Sequence, residues 1–199
     1  MYTSPVSITL GFHGCDRNIG ERLLAGDLPH LRKSQNDYDW LGHGVYFWEN
    51  DPQRALTFAA EQAERPRPGK EPISEPFVVG AIIDAGHCLN LVESASLAVL
   101  QDAYELLCET HKKADLFPEN HTDPNTGELL RRNLDCAVIE ALHASNIIRG
   151  LAGFDTVRGV FMEGPELYPN SGFREKNHIQ ICVRNTLCIK GYFRLLKEE

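Results

Sequence analysis

No apolar run in the 199-residue chain approaches the ~18 positions that a membrane-spanning helix requires. Residues 1–5, Met-Tyr-Thr-Ser-Pro, have neither the basic start nor the apolar centre of a secretory signal. The expected location is the cytoplasm, with no membrane partner. The six cysteines, Cys15, Cys88, Cys108, Cys136, Cys182 and Cys188, never form a Cys-x-x-Cys pair. A zinc site wants paired ligands at short spacing, and His87-Cys88 alone does not supply them; no metal is expected. With no sign of an oxidising compartment, the thiols are expected to be free and mostly buried, as small apolar residues are. A basic excess is missing too. Lys and Arg number 20 against 28 Asp and Glu, a formal net charge of −8, which disfavours nonspecific attraction to nucleic acid or anionic membrane but leaves room for a local basic groove. Arg131-Arg132, and Arg65 with Arg67, read as solvated loop charges. Internal repeats and low-complexity tracts are absent as well.

What is present is the composition of a globular protein, 42% hydrophobic and 24% charged, of a length that suits one domain over 1–199. Alternation over residues 6–12 predicts a strand ending at His13. Asp16 can cap a short helix over residues 17–25, closed by Gly26. Residues 27–43 lack periodicity and form a long loop. Asp51-Pro52 is a strong helix start, and Ala55, Phe58, Ala59 and Gln62 then share one face. Strands are expected at 77–83 and 88–92, helices at 93–113 and 134–148, and a polar loop at 117–127 between the two. The chain returns to strands at 156–162, 179–184 and 187–196, the last two as a hairpin turning at Asn185-Thr186. The fold class is α+β, with strands at both ends around a helical middle insertion of about 93–150, to which no chemistry is assigned.

The stretch Asp39-Trp-Leu-Gly-His-Gly-Val-Tyr-Phe-Trp-Glu49 organises the rest. Gly42 and Gly44 precede the aromatic strand of Val45, Tyr46, Phe47 and Trp48, and a helix follows. Glycines at a strand entrance let a backbone approach a ligand, and an aromatic face attracts a flat cationic ring. The same pattern also describes a buried edge strand with ordinary core aromatics.

The runs Gly11-Phe12-His13-Gly14 and Gly42-His43-Gly44-Val45-Tyr46-Phe47, with a helix behind the second, resemble the ADP-ribosyltransferases of the His-Tyr-Glu class, which includes diphtheria toxin and the poly(ADP-ribose) polymerases. In that class a glutamate opens a late strand. Gln180-Ile-Cys-Val183 stands at the matching place. The Ser-Thr-Ser strand and Glu-x-Glu of the arginine-based class are absent, and so is the arginine-rich site of the RNA 2′-phosphotransferases.

The resemblance implies a split β-sheet core and NAD as co-substrate. It implies His13 on a ribose hydroxyl, the backbone of Gly14 on the nicotinamide amide, and Tyr46 stacked on the nicotinamide ring beside Phe47. Ser34 is a further contact from the preceding loop. His13, Tyr46 and Gln180 are the implied catalytic set. Gln180 keeps a hydrogen bond but brings no charge, which implies transfer of a single ADP-ribose, with Glu175 as an alternative carboxylate. The loop 163–178 implies target contacts through Glu166, Tyr168 and Glu175. The expected function is that of a mono-ADP-ribosyltransferase acting on a macromolecular acceptor, protein or nucleic acid, and the family adds a toxin-like or defence role with a neutralising protein partner. Two alternatives share the same pocket: a non-catalytic NAD or ADP-ribose binder, and an NAD glycohydrolase.

Overall fold

The computed structural model describes residues 8–66, 71–110, 117–124 and 126–196. Among them the strands, in chain order, are β1 (Ile8–Asp16), β2 (Val45–Glu49), β3 (Pro76–Asp84), β4 (Cys88–Asn90), β5 (Asn120–Thr122), β6 (Leu129–Arg132), β7 (Thr156–Phe161), β8 (His178–Val183) and β9 (Ile189–Arg194). The helices are α1 (Arg17–Ala25), α2 (Pro52–Glu64), α3 (Ser94–Thr110) and α4 (Asn133–Ile148). Seven strands form one mixed sheet in the order β4-β7-β8-β2-β1-β3-β9, and β5 and β6 pair as a separate hairpin. The α+β class read from the sequence therefore holds. Arg67 and Lys113, at the edges of predicted features, lie outside the described residues.

The helix ends follow their sequence signals. The Asp16 carboxylate accepts from Asn18 N at 3.0 Å, and Gly26 closes α1 in the left-handed region at φ 84°. Asp51 accepts from Arg54 N at 2.8 Å with Pro52 opening α2. Along β2 the side chains alternate between two cores. Val45 and Phe47 join Leu23 of α1 and Val79, Ala81 and Ile83 of β3. On the opposite face, Tyr46 packs with Leu41, Cys182 and the α3–α4 pair, and Trp48 with Phe12 and Ala55. All six cysteines are free; Cys15, Cys136, Cys182 and Cys188 are buried.

Three readings of the sequence are corrected. First, β1 runs on to Asp16, so His13 lies within the strand rather than at its end. Second, the last strand does not form a hairpin with its predecessor. β8 is already paired on both edges, by β7 and β2, so β9 passes through a 3₁₀ turn at Thr186–Cys188 and adds to the free edge of β3. Third, the polar loop 117–127 contains β5, and Arg131-Arg132 belong to β6 rather than to a solvated loop.

One irregularity positions everything that follows. β1 keeps its ladder with β3 from Ile8 through Asp16, but with β2 it pairs only at Gly11↔Glu49 and Phe12↔Trp48. Beyond those pairs the sheet opens, while β2 continues its ladder with β8 from Val45 to Trp48.

Candidate functional site

His13 bridges the opening. Its Nδ1 lies 2.7 Å from the carbonyl oxygen of Tyr46 on β2, a bond that replaces the missing ladder. A carbonyl only accepts, so Nδ1 carries the proton and Nε2 is the ring's acceptor. Burial lowers the His13 pKa against the smaller opposing effect of that bond, so the imidazole is neutral at pH 7.

A cavity of about 330 Å³ sits at this opening, within the range of small-molecule sites. His13, Ser34, Tyr46 and Gln180 all line it, although the sequence spreads them over β1, a loop, β2 and β8. The loop is held rigidly. Ser34 and Gly44 exchange backbone bonds of 2.7 and 3.2 Å, and the Asp39 carboxylate accepts from Asn36 N and Nδ2 at 2.8 and 3.0 Å. The Tyr46 hydroxyl donates to Gly42 O at 2.8 Å and accepts from Leu41 N at 3.0 Å. Burial drives its pKa well above 10. Both capacities of that hydroxyl are thus committed to backbone, and what Tyr46 offers the cavity is its ring.

Gln180 is fixed differently from the expectation. Trp40 Nε1, which only donates, bonds Gln180 Oε1 at 2.7 Å. The amide orientation follows, with the NH₂ group as the remaining donor. Trp40 itself lies against Phe161 (ring centroids 5.0 Å apart) and over Gly159, where an added Cβ would fall 2.8 Å from the indole.

The far wall was not foreseen. Arg54, Phe58 and Glu61 line the cavity from α2 at spacings of four and three residues, the face a helix presents to one side. Trp48 lines it from β2, two residues beyond Tyr46 on the same face of the strand. Both signals were legible in the sequence. Arg54 is only 7% exposed, lies 5.7 Å over the Trp48 ring and donates from Nη2 to Glu163 Oε2 at 2.8 Å. Nothing in the sequence marked the hairpin β5–β6, yet it brings Leu130 to the cavity and Arg132 over Phe161 and Trp40, at 4.4 and 5.1 Å.

Other expected residues are elsewhere. Phe47 is fully buried in the opposite core, with its ring edge to His13. Gly14 meets α2: a Cβ there would lie 2.1 Å from Ala55 O. Gly42 and Gly44 likewise admit protein atoms, a Cβ on Gly44 falling 2.5 Å from Cys182 Sγ and one on Gly42 falling 2.6 Å from Glu140 Oε1. Glu166, Tyr168 and Glu175 are exposed on the loop after β7, outside the cavity lining. Glu166 accepts from Asn170 N at 2.9 Å.

A larger cavity, about 820 Å³, lies on the other side of residues 34–37, with Gln35 and Asp37 facing it. It holds Cys136, 3.9 Å from His43 Nε2, and Glu140, 3.5 Å from His43 Nδ1. Burial and the neighbouring carboxylates Glu140, Asp39 and Asp37 push the thiol up to about 12. It is therefore not a nucleophile at neutral pH, and size alone does not make this cavity the site.

No family model matches the chain, and no solved structure does. The chain is 24% identical over 204 residues to an uncharacterized protein of Methanocaldococcus jannaschii, with 94% of this chain and 86% of that protein covered. No helix among the described residues is long and apolar enough to cross a membrane.

Proposed function

We propose that the chain is a mono-ADP-ribosyltransferase on a split-sheet fold of the ADP-ribosyltransferase kind, using NAD and releasing nicotinamide. The observation that carries this reading is the convergence of His13, Ser34, Tyr46 and Gln180 on one cavity at the point where the sheet opens. The Tyr46 ring, held flat by two hydrogen bonds to its hydroxyl, is a platform for the cationic nicotinamide. Neutral His13 turns an acceptor nitrogen to the ribose hydroxyls. Pinning the ring on one side of the glycosidic bond favours its departure, and the gain is in orientation more than in acid–base strength. The macromolecular acceptor, protein or nucleic acid, reaches the sugar from the side of the loop after β7, where Glu166, Tyr168 and Glu175 are exposed.

One observation favours a second reading, a module that binds NAD without consuming it. Gln180 is uncharged and its oxygen is already engaged by Trp40. The test is incubation with NAD and measurement of free nicotinamide. Release above a Tyr46→Ala control supports the enzyme, and binding without release supports the module. Label recovered wholly as free ADP-ribose, with none on macromolecules, indicates a glycohydrolase. A chain that neither binds NAD nor releases nicotinamide refutes all three.

A further inference from the structure

We infer that Glu163, held in place by Arg54, is the carboxylate of the cleft and takes the proton from the attacking nucleophile. The inference rests on the transferase reading above. Five carboxylate or amide candidates compete for this role, and the geometry separates them. Gln180 carries no charge. Glu175 is exposed and outside the cavity lining. Asp39 spends its two oxygens on Asn36. Glu61 is shared between Lys176 at 2.8 Å and Arg54 at 3.7 Å. Glu163 lines the cavity, its side chain is 20% exposed, and its Oε2 bonds Arg54; among the described residues Oε1 has no hydrogen-bond partner.

Arg54 explains why the carboxylate stands there. Its Nε and Nη1 are buried without hydrogen-bond partners among the described residues, Nη1 having only the longer ion pair with Glu61 at 3.7 Å, an arrangement that costs stability. A buried guanidinium kept at that cost is a positioning residue: it fixes Glu163 from below, braced against the Trp48 ring. The loop behind is tied down by Lys176 N to Glu163 O at 3.0 Å and by Lys176 to Glu61. In the step itself, the bond between the ribose carbon and the nicotinamide nitrogen breaks, and its electron pair leaves with neutral nicotinamide. A lone pair of the acceptor forms the new bond to that carbon, and the acceptor's proton passes to Glu163 Oε1 and then to solvent.

The test uses the full chain, labelled NAD and water as the minimal acceptor, followed by release of nicotinamide and ADP-ribose. Glu163→Gln still accepts from Arg54 Nη2 but takes the charge partner from a buried guanidinium, so its melting point should fall, and turnover is compared at a temperature where both proteins are folded. Its turnover should fall about 10²–10⁴-fold, and the KM for NAD should stay as in the wild type. Glu163→Ala should regain part of its turnover with added sodium formate, which a purely structural role would not allow. Wild-type turnover in Glu163→Gln overturns the assignment. Failure of the wild-type chain to bind NAD overturns the transferase reading and this assignment with it, and binding measured separately from turnover tells the two failures apart.

Discussion

Replacing Tyr46 by phenylalanine separates what its ring does from what its hydroxyl does. The hydroxyl closes two bonds, to Gly42 O and from Leu41 N, inside a loop where Leu41 is fully buried. Removing it leaves the Leu41 N–H without its partner and the Gly42 carbonyl with only the weaker bond from Cys182 Sγ at 3.4 Å. Lost and orphaned hydrogen bonds of this kind together cost about 2–4 kcal/mol. For a chain of this length that corresponds to a melting point lowered by roughly 5–15 °C. Thermal unfolding by circular dichroism and guanidinium midpoints measure the loss. The ring survives in Tyr46→Phe, so nicotinamide release at a temperature where both proteins are folded should stay within a few-fold of wild type. Tyr46→Ala, by contrast, should lose both. A Tyr46→Phe protein as stable as wild type but unable to release nicotinamide would mean that the hydroxyl does chemistry, and the account of Tyr46 as a platform would be wrong.

Three further outcomes follow from the same geometry. Gly44→Ala puts a methyl 2.5 Å from Cys182 Sγ and 2.7 Å from Val183 O; overpacking of this kind should cost about 1–3 kcal/mol, seen as an earlier guanidinium midpoint. His13→Ala removes the bridge to Tyr46 O and opens a void between β1 and β2; a loss of about 2–4 kcal/mol is expected, together with loss of NAD binding by calorimetry. Burial lowers the pKa of His13, His178 and His143, the last to about 4. The unfolded chain therefore binds more protons below pH 6.5, and stability should be fully present above that value and fall as pH drops towards about 4. A flat stability profile across that window would contradict the burial of these rings.

Local signals carried well from sequence to structure, and long-range pairing carried poorly. Asp16, Gly26, Asp51 and Pro52 act within a few residues of themselves, so the ends of α1 and α2 were legible. The partner of β9 was not, because Asn185-Thr186 looks like a turn whether or not the preceding strand has a free edge. His13, Tyr46, Ser34 and Gln180 were singled out by the resemblance, Ser34 only loosely, and the fold brings all four to one cavity. Phe47 was misplaced by its neighbourhood: adjacent residues on a strand face opposite ways, and Tyr46 took the side of the cavity. Trp48, Arg54 and Phe58 share the cavity by ordinary strand and helix periodicity. Glu163 and Leu130 come to it through loop and hairpin geometry that leaves no pattern in the chain.

The chain has two tryptophans, Trp40 and Trp48, and both line the cavity. Titration with NAD or nicotinamide, with emission followed from tryptophan alone, therefore reads the site directly. The account predicts saturable quenching by both ligands in the wild type and its loss in Tyr46→Ala. A response that rises linearly without saturation, equal in the two proteins, would contradict it.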